Sequence, residues 1–255
     1  MPAEIEIRHC RSLEEFKECV RLERLTWGEA ITVPAAIFVV AEHSGGQILG
    51  AFDGGRLVGF TLGLAGFRPG QHFIHSHMTT VLPEYQNRGV GRRLKLFQRQ
   101  DALKRGIPLV EWTFDPLEPK NAHFNLVRLG AIARRYIPDC YGVTESPLHA
   151  GLPTDRLVAE WWLDSERVKG ILADDPLPGS AKSERIAIPA DVAEIKSKDR
   201  ATGERVQQAA RAKFLELFEA GWVATSIEST GSVSSYILEP AGEISGLRLP
   251  EFHEH

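Results

Sequence analysis

The chain has few of the features that would mark it for a special environment. Three cysteines, Cys10, Cys19 and Cys140, occur in 255 residues. Their spacing matches neither a metal-ligand set nor a disulfide framework, which fits a reducing cytosol. No apolar run nears the length that crosses a bilayer, and the longest, around residues 35–41, is far too short. The start, Met1-Pro2-Ala3-Glu4, lacks the basic and apolar segments of a secretion signal. A cytoplasmic protein with no membrane partner is therefore expected. A basic excess is missing too. The net charge of -4 argues against a general nucleic-acid binder, so no nucleic-acid partner is expected. The remaining composition is that of an ordinary globular protein, long enough for one large domain or two smaller ones.

Periodicity divides the chain into elements. Residues 5–8 alternate as a first strand, and Ser12 with Glu15 forms a capping box. Leu13, Phe16, Val20, Leu22 and Leu25 then keep helical spacing as far as Trp27. Pro34 opens a short helix over 35–42, stopped by Gly45-Gly46. Strands over 47–52 and 56–64 flank Asp53-Gly54-Gly55, a hairpin turn. A strand over 73–82, a helix over about 91–105 and a strand over 109–114 follow. A short helix over 120–129 closes at Gly130, and strands over 131–136 and 157–163 come next. Strand and helix do not alternate throughout, so a doubly wound fold is disfavoured and a mixed, α+β arrangement is expected. Residues 174–180, rich in Asp, Pro and Gly, read as a linker. Beyond it lie a strand over 185–189, a helix over 204–220 and strands over 222–228 and 233–238. Val206, Ala210, Phe214, Leu217 and Phe218 form only a core-facing stripe on that helix. The domains are expected at 1–168 and 181–255, with a mobile tail carrying His253 and His255.

The stretch from Val81 to Leu94, VLPEYQNRGVGRRL, carries the most chemistry. An apolar strand runs into a tight loop with Gly89 and Gly91, and an amphipathic helix follows. Such a geometry presents backbone N–H groups at a helix N-terminus, where partial positive charge favours a phosphate. Arg88, Arg92 and Arg93 add charge nearby. Gly91 is followed by Arg92-Arg93, not by the Lys-Ser/Thr of a nucleotide-hydrolysing loop. Leu94 stands where a dinucleotide fingerprint would need its third glycine.

Gln86-x-x-Gly89-x-Gly91 between a strand and a basic helix resembles the coenzyme A pyrophosphate loop of the GNAT superfamily of N-acetyltransferases. The element order over residues 5–163 is similar to that fold as well. The resemblance implies a GNAT acyl-CoA N-acyltransferase fold, a central and mostly antiparallel sheet flanked by helices. To it would be added a small C-terminal α/β extension. With residues 159–168, AEWWLDSERV, the chain looks like a branch of that superfamily bearing such an extension. The extension could be a lobe on the core or an oligomerisation element, which would allow a homodimer.

The resemblance also implies an acetyltransferase that uses acetyl-CoA as co-substrate, needs no metal, and acts on a small-molecule or protein amine. Coenzyme A would lie in a wedge between the strands over 73–82 and 109–114. Backbone near Thr80 and Val81 would hold its pantetheine arm, and Gln86, Asn87, Arg88, Gly89, Val90, Gly91 and Arg92 its pyrophosphate. Asn121 matches an asparagine that the family often places near the cofactor arm; a plain helix N-cap is the alternative. His75 and His77 share one strand face and are the candidate bases, His75 standing where several members carry glutamate. A half-buried polar pair is the structural alternative. The tyrosine that often serves as acid is replaced by Leu126, so Tyr141 is named in its place. Lys95, Arg99, Lys104 and Arg105 read as a solvated helix face. A non-catalytic acyl-CoA-binding module is the competing function.

Overall fold

The structure, a computed structural model, describes residues 4–29, 32–142 and 151–249. The tail with His253 and His255 lies outside the described residues. Two compact units divide the chain, residues 1–112 and 113–255.

The first unit is a sheet with helices packed on it. Its strands run β1 (Glu6–His9), β2 (Gln47–Asp53), β3 (Arg56–Arg68), β4 (Gln71–Val81) and the first four residues of β5 (Leu109–Phe114), neighbours in that order. Helices α1 (Leu13–Trp27) and α2 (Ala35–His43) precede β2, and α3 (Val90–Lys104) joins β4 to β5. Ser12 caps α1 by accepting from the Glu15 N–H at 3.2 Å. Glu15 reaches one residue further back than a capping box requires and accepts from the Arg11 N–H at 2.7 Å. Phe16, Phe38 and Phe60 run in series through the core, with ring centroids 6.2 and 5.9 Å apart. Cys10 and Cys19 are buried free thiols whose sulfurs lie 4.0 Å apart.

The strand that leads into the glycine loop departs from the sequence expectation in two ways. First, β3 and β4 pair as far as Arg68 with Gln71, so their hairpin outruns the strand ends expected from periodicity. Gly70, at φ 73°, makes that tight reversal possible. Second, Leu62 pairs with Met78 and Gly63 with Ser76, so the register skips His77. His77 is the extra residue of a β-bulge, which bends β4 locally.

In the second unit β7 (Arg156–Trp162), β6 (Ile132–Ile137), β9 (Trp222–Thr230), β10 (Val233–Pro240) and β8 (Glu184–Pro189) are neighbours in that order. Its helices are α4 (Pro119–Ala122), α5 (Glu166–Leu172), α6 (Val192–Lys198) and α7 (Arg200–Glu219). Helices α5 and α6 are additions to the sequence reading. A capping signal for α5 was present in Ser165, whose hydroxyl accepts from the Val168 N–H at 3.3 Å. Asp199 caps α7 through the Thr202 N–H, which starts that helix earlier than its apolar stripe suggests. The stripe does what was expected: Phe214 packs on Tyr136, Phe218 and Tyr236, with centroids 5.0 to 5.7 Å away. Among the described residues no helix is long and apolar enough to cross a membrane.

A buried carboxylate ties α7 to β6. Asp155 accepts from Arg211 twice, at 2.8 and 2.6 Å, and from the Tyr136 hydroxyl at 2.6 Å. The Asp139 N–H adds a further bond at 3.0 Å. Asp155→Ala strips a buried cluster of its acceptor and should cost roughly 3–5 kcal/mol in urea unfolding. A loss below about 1 kcal/mol, the range of surface pairs, would mean that solvent screens the cluster.

Candidate functional site: a glycine loop and a strand fork

The end of β4, the loop and the start of α3 form one continuous feature. A turn over Pro83–Tyr85 follows β4, held by the Tyr85 hydroxyl donating to Asp53 at 2.6 Å. Gln86 folds back and donates from Nε2 to the Val81 carbonyl at 2.9 Å. Asn87 and Gly89 both adopt positive φ, 58° and 77°. Gly89 is the N-cap of α3, and no side chain caps the helix there. The first-turn N–H groups from Val90 to Arg92 therefore have no acceptor of their own. A Cβ on Gly89 would meet open space, so the glycine answers to its φ and to whatever approaches from outside. Arg92 keeps a buried Nε without a partner beside this turn. Open amides, a guanidinium nitrogen in want of an acceptor and an unfilled approach at Gly89 together suit a pyrophosphate. Thr80 is buried, with its hydroxyl 2.8 Å from that of Thr26 on α1.

The two histidines lie on the same strand. Parallel pairing of β4 with β5 consists of Phe73 with Leu109, Ile74 with Val110, and His75 with Glu111. His75 thus occupies the last rung, and His77 the bulge just past it. Their ring centroids are 6.2 Å apart, so the bulge leaves both on one face. His77 keeps an exposed edge, yet the protein atoms around its ring favour the neutral form, and His75 adds to this. Glu111 is buried, and one of its oxygens lies 3.9 Å from His75 Nδ1, at ion-pair range. Both its oxygens accept from Arg68, whose guanidinium covers the Phe73 ring at 4.2 Å. Neither Glu111 nor Arg68 stood out in the sequence. Strand 109–114 reads as a compact apolar strand, and Arg68 fell past the expected end of its own.

Lys95 corrects the sequence reading. It was expected on a solvated helix face, but its residue exposure is 4%. Leu94, Lys95, Gln98 and Ala102 all lie on the buried side of α3. That spacing was the available signal: Lys95 falls three and seven residues before two buried positions. Its Nζ donates to the Ser76 hydroxyl at 2.7 Å and to Gln98 Oε1 at 3.1 Å. It also sits 4.0 Å from the centroid of the Trp112 ring. Burial of the amine drives the Lys95 pKa down to about 7. The polar seam continues along α3. Gln47 donates to the Gln98 carbonyl and to Asp101 at 3.2 and 2.7 Å, and His9 lies 3.1 Å from Asp101.

Asn121 and Tyr141 belong to the second unit. Asn121 is exposed within α4, whose N-cap is Glu118 and not Asn121, and its Oδ1 accepts from Asn125 Nδ2 at 3.2 Å. The helix expected there is present, α-wound over Pro119–Ala122 and π-wound over His123–Arg128, and Leu126 is fully buried. The Tyr141 hydroxyl is 2.8 Å from Thr113 Oγ1; the residue is half exposed, yet the protein atoms around its ring raise its pKa.

Comparison with known proteins agrees with these features. Residues 9–127 match the model of the Acetyltransferase (GNAT) family. A putative acetyltransferase from Salmonella typhimurium, solved with its cofactor acetyl-CoA, superposes with a TM-score of 0.51 at 17% identity. That alignment covers 64% of this chain and 96% of the other. Smu.2055 from Streptococcus mutans gives 0.52 at 17% identity, covering 62% and 99%. Ard1 from Thermoplasma volcanium gives 0.50 at 14% identity, covering 61% and 95%. At such identities the superpositions establish the fold. No curated protein matches the chain.

The buried lysine predicts an alkaline gain in stability. Lys95 loses its proton near pH 7 when folded and near its ordinary 10.5 when unfolded. Between those values the unfolded chain binds more protons, so the unfolding free energy rises with pH. The rise is at most about 1.4 kcal/mol per pH unit. Denaturant melts from about pH 6 to about pH 10 should show it in the wild type relative to Lys95→Met, with a plateau below pH 7. A flat difference across the window would mean that Lys95 stays charged in the fold.

Proposed function

We propose that this protein, whose residues 9–127 match the GNAT acetyltransferase family, moves an acetyl group from acetyl-CoA to an amine by direct attack in a ternary complex. The observation that carries the mechanism is the sequence of features on β4. Two histidines lie where β4 parts from β5, and the uncapped, glycine-led helix start follows at the end of the same strand. We assign the acetyltransferase domain to residues 1–168 and treat 181–255 as a C-terminal lobe without an assigned role.

Acetyl-CoA supplies an activated thioester. The open amides of residues 90–92, with Arg88 and Arg92, bind its pyrophosphate. The free edge of β4 near Thr80 and Val81 offers backbone groups to its extended arm, much as a sheet edge accepts a strand. An amine acceptor arrives as an ammonium and must lose a proton before it can attack. His77 is suited to take it, since its neutral form is favoured at neutral pH. His75 is the second candidate, with a Glu111 oxygen 3.9 Å from its Nδ1. Holding amine and thioester together removes an entropic cost, so no covalent enzyme intermediate is required. Asn121 is assigned to the cofactor arm by its match to the family pattern. Tyr141 is the candidate acid for the leaving thiolate, and its raised pKa keeps it protonated at neutral pH.

Coenzyme A release with a panel of small and protein amines, alongside calorimetry with acetyl-CoA, tests this reading. Gly89→Asp places a carboxylate against the pyrophosphate and strains the positive φ, and should abolish binding; an unchanged Kd would remove the loop from the cofactor site. His75→Ala and His77→Ala should each lower kcat by roughly 10²-fold or more while leaving the Kd for acetyl-CoA intact. If His77 is the base, the acidic limb of kcat/KM should lie below the ordinary histidine value of 6.5. Tight binding with no turnover on any amine would turn the assignment towards a binding module.

A further inference from the structure

We propose that Lys95 is a positioning residue: a strut that sets the opening between β4 and β5 and with it the fit of the acetyl-CoA arm. The inference rests on the acetyltransferase reading of the site. Pairing between the two strands ends at His75 with Glu111. The first residues past that rung are Ser76 on β4 and Trp112 on β5. Lys95 touches both, the hydroxyl at 2.7 Å and the ring centroid at 4.0 Å. One amine therefore spans the fork at the point where it opens.

The location is costly for a lysine. Its residue exposure is 4%, and the contacts of its Nζ are a hydroxyl, an amide oxygen and an indole face. An apolar side chain would fill the same space with less penalty. It would not hold a strand hydroxyl and an indole face from a single point. Gln98, one turn further along the helix, fixes the amine with a third contact at 3.1 Å.

The strut also shares its helix with the anion site. Val90 to Arg92 present their amides at the start of α3, and Lys95 follows within the next turn. At about 1.5 Å of rise per residue, those amides and the Lys95 backbone are separated by roughly 5–8 Å along one rigid axis. The helix that grips the pyrophosphate therefore also props the strands between which the arm would lie. The two ends of the same ligand are held in register.

Calorimetry with two probes separates this role from general support of the fold. Acetyl-CoA carries both pyrophosphate and arm, whereas 3′-phosphoadenosine diphosphate carries the pyrophosphate without the arm. Lys95→Met should weaken acetyl-CoA by about tenfold or more and leave the armless nucleotide within about twofold. Lys95→Gln, which keeps a donor for Ser76, should recover part of the loss. Ser76→Ala should show the same split at smaller amplitude, and it carries the test if Lys95→Met fails to fold. Wild-type affinity for acetyl-CoA in a folded Lys95→Met protein would overturn the inference alone. Equal weakening of both probes would overturn it too, since it would report a disturbed fold. A wild-type protein that binds neither probe would overturn the acetyltransferase reading and this inference with it.

Discussion

Three rungs of parallel pairing, from Phe73–Leu109 to His75–Glu111, are the constraint on which the rest of the first unit depends. Parallel neighbours cannot be joined by a tight hairpin, so a crossover must lie between them. Here that crossover is the glycine loop and α3. Because α3 begins where β4 ends, its first amides lie at the end of the strand that carries the histidines. The bulge at His77 bends β4 just past the last rung. Loop, bulge and fork are consequences of one topology.

The inner face of α3 gives this arrangement its definition. A purely apolar stripe could slide or rotate by a fraction of a turn with little penalty. The face instead presents Lys95, Gln98 and Asp101 to Ser76, Gln47 and His9. The His9 hydrogen bond, followed by those of Gln47 and Arg105, holds the Asp101 carboxyl well below its ordinary range. Buried polar contacts of this kind have strict geometry, and a shifted helix would leave them unmade.

Much of this was legible in the sequence, for identifiable reasons. The hairpin at Asp53-Gly54-Gly55 and the strand-loop-helix around Gly89 carry turn chemistry that few other arrangements need. The capped start of α1 and the stripe on α7 were equally plain. What stayed hidden depended on partners distant in sequence. Lys95 counted as one more basic residue until its neighbours on the helix face were considered. Glu111 looked like a lone acid in an apolar strand because its partner, Arg68, lies 43 residues away. The skipped register at His77 leaves no mark in an alternating pattern. Helices α5 and α6 are short, and their ends carry more signal than their middles.

The hairpin extension of β3 and β4 has a further consequence. Beyond Phe73 these strands form a two-stranded ribbon that pairs Phe67 with His72 and Arg68 with Gln71. Two-stranded ribbons are marginal by themselves, and Phe67 at the tip is 68% exposed. Such an end opens locally long before the domain unfolds. Arg68 sits on that end, and both Glu111 oxygens accept from its guanidinium. Each fraying event would withdraw the Arg68 guanidinium from a buried carboxylate near His75. The hydrogen bonding at the base of the fork is therefore tied to the breathing of a hairpin tip, and amide exchange at the ribbon reports the same equilibrium.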